Sequence, residues 1–174
     1  MTANNETQTL VNLASPKMGT KIISVSDQFF GEATRMLSDQ EPVFIDDKYD
    51  THGKWMDGWE SKRRRDGGND WAIIKLGSPG IISTIEVDTS FFTGNFPPFF
   101  SLEGTDSKEI PKNDNEWIPL ITKSSLIGDQ KNNFNVESNI TLNYVRLQIF
   151  PDGGVARLRS VSYTHLTLPT KLAV

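Results

Sequence analysis

The clearest pattern of apolar and polar positions lies late in the chain, over residues 144–150. There Val145, Leu147 and Ile149 alternate with Arg146 and Gln148. Side chains two apart share one face of an extended chain, so this segment predicts a β-strand with one buried side. Bulky β-branched and aromatic runs predict further short strands at residues 22–25, 71–76, 81–89, 99–104, 117–121 and 155–159, and a weaker one at 134–136. Pro119 places its run at an edge or a bulge, because proline donates no ladder hydrogen bond. Residues 29–37 read as a helical turn or an irregular wrap, and 42–45 as a short apolar piece. Gly77-Ser78-Pro79-Gly80 closes one strand. Pro151-Asp152-Gly153-Gly154 predicts a tight hairpin, and Thr93-Gly94-Asn95 a turn in which glycine and asparagine tolerate positive φ. With no sustained helical period, the pattern predicts an all-β antiparallel sandwich or jelly roll. Function in such folds sits on strand-end loops, and the long stretch 46–70 is the candidate.

Composition narrows the function. The chain has 174 residues, 36% hydrophobic and 23% charged, which suits one domain with its own core. Eighteen basic against 22 acidic residues give a net charge of −4, without the basic footprint a nucleic-acid partner needs. No apolar run approaches the ~20 residues of a membrane span, and the polar N-terminal segment predicts no secretory leader. There is no cysteine, hence no disulfide and no thiol nucleophile. His52 and His165 are the only histidines, which argues against a multi-histidine zinc site. His52 reads as an exposed loop residue, and any Ser-His-Asp triad would have to use it. Carboxylates at 57, 60, 66 and 70 are hard-cation donors by type, but their spacing matches no metal motif, and no metal site is assigned.

Three phrases carry a resemblance. They are Gly53-Lys54-Trp55-Met56-Asp57-Gly58-Trp59-Glu60 running into Ser61-Lys62-Arg63-Arg64-Arg65-Asp66; Phe92-Thr93-Gly94-Asn95-Phe96-Pro97; and Phe150-Pro151-Asp152-Gly153-Gly154-Val155-Ala156-Arg157-Leu158-Arg159. Together, in this order and spacing, they resemble the repeat of the allantoicase family over roughly residues 12–159. The run 71–76 and the late Val-Arg-Leu strand also resemble galactose-binding-like domains. The resemblance implies a galactose-binding-like sandwich, allantoate as small-molecule substrate, hydrolysis to ureidoglycolate and urea in allantoin degradation, and no organic cofactor. It also implies a second repeat that this chain does not carry. A missing repeat would leave apolar surface exposed, so a homo-oligomer is expected. A cytoplasmic location is expected, with the peroxisome as the alternative. The expected organisation is a flexible arm at 1–12, the repeat at 13–159 and a non-native tail at 160–174. The tail departs from the family at Ser160, its phrase Val161-Ser162-Tyr163-Thr164-His165-Leu166-Thr167-Leu168-Pro169-Thr170 resembles translated adapter sequence, and His165 is given no role.

Allantoate is a carboxylate bearing two ureido groups on one carbon. Its carboxylate suits a guanidinium, its ureido groups suit amides or carboxylates, and its leaving nitrogen needs a general acid. Asp57 and Glu60 are the catalytic candidates. Lys54, Trp55, Trp59, Arg63, Arg64, Asn95 and Arg157 are the substrate-binding candidates. Each has a plainer reading: Trp55 and Trp59 as packing, the basic run as a solvated face, Asn95 as a turn residue, and Arg157 as a buried partner of Asp152. Three functional classes stay open: the hydrolase, a galactose-binding-like ligand or carbohydrate module, and an inactive truncated family member.

Overall fold

A computed structural model describes residues 8–165. The strands are β1 (Gln8–Asn12), β2 (Lys21–Val25), β3 (Tyr49–Asp50), β4 (Gly53–Lys54), β5 (Trp59–Glu60), β6 (Asp70–Gly80), β7 (Thr84–Asp88), β8 (Phe99–Thr105), β9 (Ile118–Ser125), β10 (Lys131–Asn135), β11 (Leu142–Phe150), β12 (Gly154–Val155) and β13 (Arg157–His165). A five-stranded sheet in the order β2-β6-β11-β8-β9 faces a four-stranded sheet in the order β1-β13-β7-β10. The ladders in both sheets are antiparallel. The all-β sandwich expected from the alternation is the fold.

β11 shows why. Val145, Leu147 and Ile149 are fully buried in the core between the sheets, where Ile85, Val87 and Leu158 of the opposite sheet also lie. Burying each such side chain contributes about 1.5–3 kcal/mol, so the alternation fixes which way the strand faces. On the outer side, Arg146 Nε donates to Glu103 Oε2 at 2.6 Å and Gln148 Nε2 to Glu103 Oε1 at 2.6 Å. Pro119 sits in β9, the edge strand, where the register with β8 slips between Leu102 and Glu103. Residues 33–37 make a short 3-10 turn.

Several expectations change. The predicted arm is partly a strand: residues 8–12 form β1 and pair with β13, from Gln8↔His165 to Asn12↔Val161. Ladder bonds need only backbone, and of the five residues of β1 Leu10 and Val11 are apolar, with Val11 packed against the core. Asn12 Oδ1 adds a clamp, accepting from Ala14 N at 3.1 Å and Ser160 N at 2.9 Å. The first residues of the expected tail lie in a strand. β13 runs on to His165, with Ser160 and Ser162 buried. Residues 1–7 and 166–174, including the rest of the expected tail, lie outside the described residues. Pro151-Asp152-Gly153-Gly154 does not form a hairpin onto β11. It carries the chain away to β12, which pairs with β5 through Gly154↔Glu60 and Val155↔Trp59. Gly94 and Asn95 do not have positive φ; among the described non-glycine residues it falls at Phe91, with φ 70, and Asp129, with φ 52. Residues 42–45 form no strand, and Val43, Phe44 and Ile45 stand in solvent.

Candidate active site

The loop 46–70 is organised by β5. Strand alternation sends Trp59 inward and Glu60 outward. Trp59 is fully buried, and its indole N–H donates to Asp27 O at 2.8 Å. Of its two readings, packing is the one this position matches. Glu60 is gripped through its backbone: Gly31 N donates to Glu60 O, and Glu60 N to Gly31 O, both at 3.1 Å. Its side chain enters a cleft of about 590 Å³ lined by Phe30, Ser61, Arg63, Arg64, Arg65, Gly94, Asn95, Phe96, Pro98, Pro151, Asp152 and Gly153.

Asn95 Nδ2 donates to Glu60 Oε1 at 2.9 Å. The loop carrying Asn95 is locked in turn, because Gly154 N donates to Asn95 O at 2.7 Å. Gly153 is required there. It has φ 137, and a Cβ on it would lie 2.7 Å from Asn95 O. The second and third sequence phrases therefore meet at Glu60 of the first. Burial pushes the Glu60 carboxyl above its ordinary range. The Asn95 bond opposes that shift, and the negative Asp50 nearby adds to it. A carboxyl that holds its proton nearer neutrality is suited to donate one.

The arginine run separates this cleft from a second one of about 530 Å³, lined by Ser26, Asp27, Lys62, Arg63, Arg64, Arg65, Asp66 and Asp70. Its members differ. Arg64 is engaged, with Nε on Asp66 at 2.8 Å, Nη1 on the buried Asp70 at 2.9 Å, and Nη1 also on Asn69 O at 3.1 Å. Its backbone N donates to Asp152 Oδ2 at 2.7 Å. Those carboxylates hold the Arg64 pKa above its ordinary value. Arg63 and Arg65 are exposed and make no hydrogen bond or ion pair among the described residues. They are the guanidinium groups free to take a carboxylate.

The other candidates lie elsewhere. Asp57 does not reach the cleft. Its Oδ2 accepts from Arg157 Nη2 at 2.7 Å and from Val43 N at 3.0 Å. Arg157 is buried and turns its remaining N–H groups on the carbonyls of Gln40, Arg35, Asp57 and Ala156. The buried-pair reading of Arg157 fits, but its partner is Asp57, because Asp152 is taken by the Arg64 backbone. Lys54 Nζ donates to the carbonyls of Ile45 and Asp46 and lies over the rings of Phe44 and Tyr49. Trp55 lies beneath Lys48 Nζ, 3.9 Å from the ring centre. His52 is exposed and its ring packs 4.2 Å from that of Phe29. Sequence reasoning missed Phe30, Ser61 and Asp50; their only signal is tertiary. Among the described residues no group of three or more His, Asp or Glu side chains is placed to hold a metal ion, and no helix is long and apolar enough to cross a membrane.

A sandwich whose strand-end loops carry a polar cleft defines the class, a galactose-binding-like β-domain. A family 32 carbohydrate-binding module from C. perfringens, solved in complex with galactose, superposes with a TM-score of 0.60 at 11% identity, covering 88% of this chain and 100% of that one. At that identity the likeness shows the fold alone. Within this class the chain belongs to the allantoicase repeat family, whose profile matches residues 11–165. It is 49% identical over 150 residues to a "probable allantoicase" of Acinetobacter baylyi, covering 86% of this chain and 45% of that protein. The crystal structure of allantoicase from Saccharomyces cerevisiae matches with a TM-score of 0.71 at 35% identity, covering 88% of this chain and 43% of that one. The chain thus spans about half the length of the relatives it matches.

Proposed function

We propose that this chain works as one repeat of an allantoicase, the hydrolase that converts allantoate and water to ureidoglycolate and urea. What carries the reading is Glu60, held by Asn95 in a cleft beside two unengaged guanidinium groups, in a chain of this family. Arg63 and Arg65 take the carboxylate, and Arg64 keeps the loop in shape. Glu60 enters protonated and gives its proton to the ureido nitrogen as the bond from that nitrogen to the central carbon breaks. Water supplies the hydroxyl that replaces it, and the proton that water gives up returns to the Glu60 carboxylate. Asn95 holds the carboxyl in place and offers its amide to a ureido group. The substrate carries no group that calls for an organic cofactor, and the chemistry is compatible with the cytosol.

The test is urea release from allantoate by residues 1–174, beside a two-repeat relative as control. Turnover by the short chain places a full set of groups within one repeat or between copies of it. Turnover by the control alone makes the second repeat a supplier of essential groups. If a control bearing Glu60→Gln at the matching position turns over undiminished, Glu60 is not the acid.

A further inference from the structure

The cleft on the far side of the arginine run holds an unused acceptor. Asp70 begins β6 on the same face of the strand as the core residues Ala72 and Ile74, which turns its carboxylate inward at the end of the sandwich. It is 1% exposed and lines the cleft of about 530 Å³. Its side-chain bonds fall on one oxygen, because Ser26 Oγ and Arg64 Nη1 each donate to Oδ1 at 2.9 Å. Oδ2 is closed off from solvent and has no hydrogen-bond partner. A buried carboxylate oxygen in that state is costly, and a donor that arrives with a ligand is a physical reason to keep one. The neighbouring carboxylates are engaged. Asp27 Oδ1 accepts from Lys62 N at 2.9 Å and Phe29 N at 3.1 Å, and Asp66 Oδ1 from Arg64 Nε at 2.8 Å and Gly68 N at 2.9 Å. Arg63 and Arg65 stand exposed at the rim. The cleft therefore offers guanidinium groups at its mouth and one open acceptor at its floor. A simple anion leaves Oδ2 bare, and a simple cation meets Lys62 and three arginines. The complement is a small carboxylate that also carries N–H donors.

We propose, on the reading that Arg63 and Arg65 hold the substrate carboxylate, that this cleft receives the ureido arm that stays on the carbon, and that Asp70 Oδ2 accepts its N–H. Arg63 and Arg65 border both clefts. The carboxylate and both arms branch from one carbon, so a carboxylate held on the run sends the leaving arm to Glu60 and the retained arm to Asp70. Access to Oδ2 takes a displacement of the Arg64 side chain, which is 31% exposed and holds Asp70 through Nη1 alone. The product keeps one ureido arm and fills one cleft at a time, so Asp70 favours substrate over product.

Titration of the 174-residue chain with allantoate, and separately with glycolate, followed through its backbone amide NMR shifts, tests this. Allantoate binds one per chain and moves the amides of Ser26 and Asp70 as well as those of Asn95 and Gly153. Glycolate, a carboxylate without ureido arms, moves those of residues 63–65 and leaves Ser26 and Asp70 in place. Asp70→Asn keeps an oxygen for Ser26 and Arg64 and sets an amide donor where Oδ2 stood. It weakens allantoate by about tenfold or more, the loss of a hydrogen bond to a charged acceptor, and leaves glycolate unchanged. If that variant does not fold, the shifts of the unaltered chain still decide. An equal loss for both ligands makes Asp70 a mere support of the arginine run and overturns the proposal. So do two allantoates per chain, or shifts confined to the Glu60 side. Allantoate binding that Arg63→Ala weakens and Asp70→Asn does not refutes the Asp70 cleft alone. A chain that binds neither ligand, or binds both without regard to Arg63 and Arg65, refutes the carboxylate reading along with it.

Discussion

Asp57 and Glu60 stand three residues apart in one segment, and their surroundings are opposite. Asp57 faces an arginine that is 2% exposed and whose other donors end on backbone carbonyls. Glu60 faces a neutral amide and a cleft beside two unengaged guanidinium groups. The first carboxylate has a buried cationic partner, and the second has a neutral amide. Proximity in sequence says nothing about which is which. The charge partner does, and here it comes from residue 157 for one and residue 95 for the other.

The sharpest way to break the contrast is to remove Asp57. Asp57→Ala leaves the buried Arg157 guanidinium without its counter-charge, and loss of one partner of a buried pair costs about 3–5 kcal/mol. Urea denaturation followed by tryptophan fluorescence measures it; an unchanged midpoint would mean the pair is not buried in solution. Glu60→Gln is the converse. In a two-repeat form competent for turnover it lowers kcat by about 10²–10⁴-fold, the usual share of a general acid. Its melting temperature at neutral pH holds or rises.

The pH sign follows from the raised Glu60 pKa. The folded state keeps the proton longer than the unfolded chain, so this group's contribution to stability is full below its ordinary value of 4.5 and is lost as pH rises through the raised folded value. Glu60→Gln abolishes that part of the slope of stability against pH above 4.5. Asn95→Ala removes the one contact that lowers the Glu60 pKa. The alkaline limb of kcat against pH therefore moves to higher pH, and a limb that moves down or stays put contradicts Asn95 as its restraint. The smallest effects belong to the arginine run. Arg63→Ala and Arg65→Ala raise KM with little change in melting temperature. Arg64→Ala lowers the melting temperature slightly, because the buried Asp70 carboxylate loses its ion-pair partner.

The fold was legible wherever apolar burial follows a period of two, as in β11, where Val145, Leu147 and Ile149 all reach the core. The three phrases that carry the family resemblance also meet in space at Glu60, so the neighbourhood of the candidate site was legible as a cluster. Its division of labour was not. Arg157 could be expected to pin a turn, but its choice of Asp57 over Asp152 depends on the Arg64 backbone having taken Asp152. Lys54 and Trp55 meet Phe44, Tyr49 and Lys48 rather than the groups that line the Glu60 cleft. β1 gave little strand signal, because only Leu10 and Val11 of its five residues are apolar and much of its hold is backbone bonding to β13.

That last pairing has a consequence for how the domain can be cut and joined. β1 and β13 lie side by side and antiparallel, with Gln8 opposite His165. The entry and exit of the sandwich therefore share one edge. A short peptide from His165 to Gln8 closes the chain into a ring, and new termini opened in an exposed loop such as 106–113 leave every ladder of both sheets intact. The same adjacency lets this unit be spliced into a host loop, or strung head to tail in tandem, without unthreading a strand.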